Sequence, residues 1–107
     1  MYYMAGIEDG TYGATSLEKL DFKKGYAVGM IQGSAYVVTD EARVPTLMRA
    51  TALRYLPKYV GIWTDEDGVH IDPVRVIYDL QRALTVGRDN NQKCIWDFKN
   101  EVEIPCD

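Results

Sequence analysis

The sequence predicts an α+β fold in which a mostly antiparallel sheet carries two amphipathic helices packed on one face. Two observations support this prediction. Strand-like segments rich in β-branched and aromatic residues occur in pairs joined by short polar turns, and two stretches place apolar residues at helical spacing. The predicted order of elements is ββαββαββ. Strands joined by tight turns pair antiparallel, and a helix with one apolar stripe must bury it against a neighbouring layer.

Residues 61–71 and 94–104 share one pattern. In each, a small residue, Ile and Trp begin a strand, a charged turn follows, and a short alternating strand returns. A looser copy covers residues 29–38. The spacing of about 33 residues lies in the range of known structural repeats. Two interpretations stay open: a duplicated hairpin, or three separate hairpins with similar turn chemistry.

The chain of 107 residues fits a single α+β domain, and its 47% of hydrophobic residues can build a core. Residues 1–24 are predicted to form an irregular N-terminal arm, because several glycines interrupt any regular period. Residues 25–107 form the predicted core.

A hairpin and a helix are expected at the start of this core. Residues 26–31 and 34–38 are predicted to pair around a Gln-Gly turn. The helix is expected to begin near Pro45, whose missing N–H is no loss in a first turn, and to end before Pro57. Its predicted apolar face consists of Val44, Leu47, Met48, Thr51, Ala52, Tyr55 and Leu56.

Two more hairpins are expected, one before and one after a second helix. Residues 59–63 and 69–71 are predicted to pair around the acidic turn 65–68, and residues 93–98 pair with 101–104 at the end of the chain.

The second helix has the clearest sequence signals. Asp72 is its predicted N-cap, Pro73 lies in the expected first turn, and Gly87 is predicted to end the helix in a left-handed conformation. The expected apolar stripe consists of Val76, Ile77, Leu80, Ala83 and Leu84.

Composition narrows the classes of partner. A net charge of −4 argues against nucleic acid, whose binding proteins concentrate Lys and Arg on one face. No run approaches the roughly 20 apolar residues that cross a bilayer, and no secretory signal pattern is visible. Cys94 and Cys106 are expected to be free thiols in the cytoplasm, with a Cys94–Cys106 disulfide as the alternative.

The chain lacks the residue sets that common catalytic and metal sites need. His70 is the only histidine, which excludes two-histidine mechanisms and His-pair metal motifs. A calcium loop built on Asp65 and Asp67 fails, because Trp63 and Val74 would stand at its first and last ligand positions. No glycine-rich phosphate loop is present. We therefore expect no catalytic set, no metal and no cofactor.

Candidate binding residues come from the repeated hairpins and from one loop. If Ile62 and Ile95 face the core, strand alternation sends Trp63 and Trp96 to the opposite face of the sheet. Exposed tryptophans there would form a binding surface, unless the N-terminal arm or a second copy of the chain covers them. The loop after the second helix is rich in hydrogen-bonding groups and could add recognition or merely form a turn. The candidate residues are Trp63, Trp96, His70, Arg88, Asn90, Asn91 and Gln92.

These observations favour a small, non-enzymatic protein-binding or regulatory protein over an enzyme. Compact acidic domains without a catalytic set are common among inhibitors and accessory factors of phages and mobile elements. The expected partner is a protein, and a homodimer is compatible with the same surface. The alternative is a small-molecule-binding protein or weak enzyme that uses His70, Asp72 or Arg88 in a cleft between the helices and the sheet.

Overall fold

A computed structural model describes residues 8–107 and confirms the α+β fold, with an antiparallel sheet and two helices. Helix α1 spans Val44–Tyr55, after a single 3-10 turn at Glu41–Arg43, and helix α2 spans Leu80–Asp89. The strands within the described part are β1 (Gly10–Gly13), β2 (Lys19–Leu20), β3 (Tyr26–Gly29), β4 (Tyr36–Val38), β5 (Tyr59–Asp65), β6 (Gly68–Ile77), β7 (Cys94–Asp97) and β8 (Val102–Pro105). Neither helix is long and apolar enough to span a lipid bilayer.

The strands lie in the order β2-β1-β5-β6-β3-β7-β8, and β4 also pairs with β6. The hairpins β5–β6 and β7–β8 confirm two of the three predicted hairpins. Strands β1 and β2 lie in the segment that was expected to be irregular, and β1 extends the sheet by pairing with β5. The part of this arm at residues 1–7 lies outside the described residues.

Both helices pack on the same face of the sheet. Along β6, the alternate residues Val69, Ile71 and Ile77 point toward the helices. The first two join the cluster beneath α1, and Ile77 joins the cluster beneath α2. The helix-covered face therefore carries two core clusters that share β6.

The predicted first hairpin is wrong. Strands β3 and β4 do not pair with each other, because both pair with β6, one with each half of it. Between β3 and β4 the chain forms a loop that moves away from β6. The last hydrogen bond before this loop runs from Met30 N to Pro73 O, and the first one after it runs from Ala35 N to Ile71 O. They are thus two pieces of one interrupted neighbour of β6.

The predicted start of the second helix is also wrong. Residues 72 and 73 lie inside β6, and the helix begins after Asp79, whose side chain caps Gln81 N. The Pro73 carbonyl accepts from Met30 N, so the position of its missing N–H lies on the same side of β6, where the neighbouring strand is interrupted. A proline is tolerated there because no regular ladder hydrogen bond is lost. The β-branched residues that follow Pro73 continue the strand.

Two helix ends differ from expectation. Gly87 is buried within α2 rather than ending it, and a Cβ at this position would lie 2.7 Å from Cys106 Sγ. Leu56 follows α1 in a left-handed conformation, with φ of 51°, and its side chain is 81% exposed instead of lying on the apolar face. Val44, Met48 and Thr51 are the buried residues of α1.

Candidate functional site

The two tryptophans lie on the sheet face opposite the helices, as the alternation predicts. Ile62 and Ile95 are 3% and 2% exposed, whereas Trp63 and Trp96 are 44% and 39% exposed. Within the described structure, the side chains of Trp63 and Trp96 therefore meet solvent over a large part of their surface.

Trp63 and Trp96 do not form one continuous patch. Trp63 lies opposite His70, whereas Trp96 lies opposite Ala27, which in turn lies opposite Val76. These positions, His70 and Val76, are six residues apart in β6, which is about 20 Å along the strand. The two rings are thus separate features of one face.

An aromatic cluster stands at Tyr59 on this same face, opposite Val74 of β6. The ring of Phe22 makes an edge contact with Tyr59 at 5.3 Å and stacks on Phe98 at 4.8 Å. Phe22, in the segment before β3, therefore covers a part of this same sheet face that is distant from Trp63.

Trp63 belongs to a row of three side chains across the sheet. Val37 on β4, His70 on β6 and Trp63 on β5 lie directly opposite one another in the register, and we call them the Trp63 row. The His70 ring stacks on the Trp63 indole with a centroid distance of 3.7 Å and an interplanar angle of 9°. His70 is only 8% exposed, while Val37 is 47% exposed.

Hydrogen bonds hold the His70 ring from both nitrogens. Nε2 lies 2.8 Å from Asp65 Oδ1, and Nδ1 lies 2.8 Å from Ser34 Oγ. Because an ionised carboxylate only accepts, Nε2 donates to Asp65 and, in the neutral ring, Nδ1 accepts from the Ser34 hydroxyl. The ring orientation is therefore fixed on two sides.

Asp72 holds the Trp63 indole in the same way. Its Oδ2 accepts from Trp63 Nε1 at 3.0 Å, and its Oδ1 accepts from Ala35 N at 3.1 Å. Strand β6, the hairpin turn and the loop between β3 and β4 all contribute to this network, which joins Ser34, Asp65, His70, Asp72 and Trp63.

The two carboxylates of the network have opposite pKa shifts. Burial raises the pKa of Asp72, and the hydrogen bonds from Trp63 and Ala35 oppose that effect only in part. The hydrogen bond from His70 lowers the pKa of Asp65, whose side chain is partly exposed.

Asp65, Asp67 and His70 could also offer one ligand atom each to a cation, since these atoms lie within 4.8 Å of one another. Asp65 Oδ1 already accepts from both Asp67 N and His70 Nε2. A cation would therefore have to displace hydrogen bonds that hold the turn.

Side chains at the end of α2 and in the loop that follows it mostly form hydrogen bonds within the protein. Asn90 Nδ2 donates to Gly29 O at 2.9 Å, Gln92 Nε2 donates to Ile31 O, and Arg88 Nε donates to Cys106 O. Asn91 is exposed and has a left-handed backbone, with φ of 56°. These contacts match the structural role of a turn that caps neighbouring backbone groups.

The same loop borders an open concavity of about 640 Å³. Both cysteines are free thiols and contribute to its wall. Its lining residues are Arg88, Asn91, Gln92, Lys93, Cys94, Pro105, Cys106 and Asp107.

His70 and Asp72 do not lie in a cleft between the helices and the sheet. They alternate with Ile71, which faces α1, so they occupy the opposite face. Arg88 stands at the end of α2 and bonds to the C-terminal backbone instead of joining them. The structure thus brings His70 and Asp72 together and leaves Arg88 apart.

Sequence reasoning missed Ser34 and Val37 as members of the site. Both depend on the pairing of β4 with β6, which brings Ser34 within hydrogen-bond distance of a histidine 36 residues away. No local pattern around Ser34 indicates this contact, because the contact depends on β4 pairing with β6 instead of with β3.

Comparison with known proteins assigns the chain to no group. It matches no family model, and neither a curated protein nor a solved structure shows significant similarity to it.

Proposed function

We propose that this chain is a non-enzymatic protein-binding module of regulatory or inhibitory type, and that its binding surface centres on the Trp63 row. The observation that carries this proposal is the state of Trp63. Its indole is 44% exposed, yet it is stacked on His70 and hydrogen-bonded to Asp72.

Such an arrangement suits binding because the ring is ordered before any partner arrives. Tryptophan is one of the residue types enriched among the side chains that dominate interface energies. Ordering a flexible side chain on association costs about 0.5–1.5 kcal/mol, which a ring already held in place does not lose. Trp96 has no described stacking or hydrogen-bond partner of this kind and is the weaker candidate.

Charge around the row favours a basic partner. The β5–β6 turn begins two residues after Trp63 and carries Asp65, Glu66 and Asp67, all of which are exposed. An Arg or Lys side chain could lie over the free face of the indole while facing these carboxylates. Exposed Val37 extends the row with apolar surface. We therefore propose a basic segment of another protein as the ligand.

Titration of the ¹⁵N-labelled protein with short Arg-rich peptides tests this proposal. The indole N–H resonance of Trp63 should shift with peptide concentration, and the resonance of Trp96 in the same spectrum serves as the internal control. Trp63→Phe assigns the signal, and Trp63→Ala should weaken binding about tenfold, as expected of a central aromatic anchor. Glu-rich peptides should produce no shift.

Equal shifts of both indoles, or a Trp63 signal that ignores the basic peptide, would contradict the proposal. Trp96→Ala is the matched variant, because it removes an equally exposed ring from the same face. It should leave the affinity for the peptide unchanged.

The compartment and oligomeric state are parts of the same proposal. Two free cysteines fit the reducing cytoplasm in which we place the protein. A second copy of the chain is an alternative occupant of the Trp63 row, and sedimentation of the protein without peptide would reveal it as a dimer that Trp63→Ala dissociates.

A second candidate function is a weak hydrolase. The continuous hydrogen bonds from Ser34 through His70 to Asp65 favour it, since this order of groups activates a hydroxyl nucleophile. The Ser34 oxygen would attack an acyl carbon while His70 Nδ1 takes its proton and returns it to the leaving group. Water would then release the acyl group.

A fluorophosphonate probe distinguishes this candidate from the binding module. A hydrolase should become labelled at Ser34, and Ser34→Ala should abolish the label without changing the fold. If the wild-type protein stays unlabelled while basic peptides still shift the Trp63 resonance, only the binding function stands.

A further inference from the structure

The outer surface of helix α1 combines exposed leucines with exposed basic residues. Leu53 and Leu56 are 72% and 81% exposed, the highest values among the large exposed hydrophobic residues of the described chain. Arg49 lies one turn before Leu53 on the same side of the helix, and Leu56 follows at the helix end. We call Arg49, Leu53 and Leu56 the α1 outer face.

The charge of this region is opposite to that of the whole chain. No acidic residue occurs between Glu41 and Asp65, although the protein has a net charge of −4. The basic residues of this stretch, all exposed, are Arg43, Arg49, Arg54 and Lys58. None of them forms an ion pair with any residue of the part that the structure describes.

The conformation of Leu56 is a second, independent observation. It follows the helix with a φ of 51°, a left-handed conformation that is unfavourable for a residue with a Cβ and that glycine or asparagine usually supplies. Its side chain gains no described packing in return, since 81% of it is exposed. An unfavourable backbone conformation that displays an apolar side chain suggests a function outside the monomer.

We propose that the α1 outer face binds an acidic amphipathic segment of a partner protein, at a site separate from the Trp63 row. The leucines would contact apolar side chains of the segment, and Arg49, one turn before Leu53, would face its carboxylates. Complementary charge of this kind steers association and selects the partner.

The two other occupants of such a surface fit less well. A symmetric pair of α1 outer faces would bring Arg49 of each copy toward the same basic surface of the other, and like charges repel. An anionic membrane normally receives the broad apolar face of a helix, but that face of α1 carries Val44, Met48 and Thr51, which are buried.

The test uses random 12-residue peptides, the length of α1, displayed on phage and selected on the full-length protein. Selected peptides are resynthesised and measured against Leu53→Ser, Leu56→Gly and Arg49→Glu. The proposal expects acidic peptides with apolar residues at helical spacing, whose affinity falls about tenfold or more in each variant. Val102→Thr is the matched control, because it alters an exposed apolar residue of β8 and should leave the affinity unchanged.

Leu56→Gly separates a lost surface from a lost fold. Glycine adopts the left-handed conformation readily, so the urea midpoint of this variant should equal or exceed that of the wild type while binding falls. Failure of this site leaves the Trp63 row untouched, since basic peptides report on that row alone.

Three results would overturn the proposal. The first is a peptide set that binds Leu53→Ser and Leu56→Gly as tightly as the wild type. The second is sedimentation that shows a dimer dissociated by Leu53→Ser, which would assign the surface to a second copy. The third is binding to vesicles of phosphatidylserine and phosphatidylcholine without binding of acidic peptides.

Discussion

At the residue scale, Asp65 and Asp72 have opposite relations to pH although both support the same two rings. Asp72 accepts hydrogen bonds from Trp63 and Ala35 in a site where burial raises its pKa, whereas the hydrogen bond from His70 lowers the pKa of Asp65. A raised carboxyl pKa stabilises the fold only below the pKa of the unfolded chain, and this contribution disappears as the pH rises through the folded pKa. A lowered pKa acts in the opposite sense.

Urea unfolding of the wild type, Asp72→Asn and Asp65→Asn across about pH 3 to 7 measures this difference. The stability advantage of the wild type over Asp72→Asn should shrink as the pH rises above about 4. Its advantage over Asp65→Asn should instead shrink as the pH falls below about 4. Each variant is the control for the other, and two difference curves of the same slope would contradict the assigned shifts.

Side-chain partners at this scale were mostly beyond sequence reasoning. Alternation in the two Ile-Trp hairpins correctly placed Trp63 and Trp96 on the face opposite Ile62 and Ile95, because period two is a local property of a strand. The contacts of His70 with Ser34 and of Asp72 with Ala35 join segments far apart in the chain. No local pattern encodes them.

At the element scale, α2 shows how a close contact between elements overrides a local signal. Gly87 looks like a helix terminator, yet it lies inside the helix where Cys106 Sγ and Ile95 Cγ2 would be 2.7 and 3.2 Å from a Cβ. The glycine permits α2 to approach the sheet closely. The pair Asp72-Pro73 was predicted to begin the second helix but lies inside β6. The same two residue types are found at the start of a helix and at an interrupted strand edge, so the local sequence does not distinguish the two.

Gly87→Ala should therefore destabilise the protein, although alanine favours a helix by roughly 1 kcal/mol over glycine. Overpacking against Cys106 and Ile95 costs roughly 1–3 kcal/mol, so we expect a net loss of about 1 kcal/mol in urea unfolding. Cys106→Ala removes the sulfur from the contact. In that background Gly87→Ala should be neutral or stabilising, and a single Gly87→Ala variant more stable than the wild type would refute the packing explanation.

At the scale of the whole molecule, the proposed binding regions lie on opposite layers and carry opposite charge. The Trp63 row borders the acidic β5–β6 turn on the sheet face opposite the helices, while the α1 outer face is basic and lies beyond the helix layer. The Trp63 row would attract basic segments and repel acidic ones, and the α1 outer face would do the reverse. Both proposed contacts should weaken as salt increases, because exposed charges are screened over about 8–10 Å at physiological ionic strength.

The sequence was sufficient for the fold class and for two of the three hairpins, since these depend on local periodicity and turn residues. It was insufficient for the neighbours of β6. Strands β3 and β4 look like a hairpin because a Gln-Gly turn connects two β-rich segments, but the free edge of a ten-residue β6 accommodates both. Whether β3 and β4 pair with each other or with β6 depends on tertiary contacts, which the local sequence does not contain.

The interruption opposite Pro73 has a practical consequence for engineering. Each of β3 and β4 keeps its own register with β6, so extra residues placed between Gln32 and Gly33 would shift neither ladder. Gly33 is exposed, and a Cβ built on it meets no atom within 4 Å. A short tag or fluorophore-bearing insert could therefore be carried there, close enough to Ser34 to sense events at the Trp63 row.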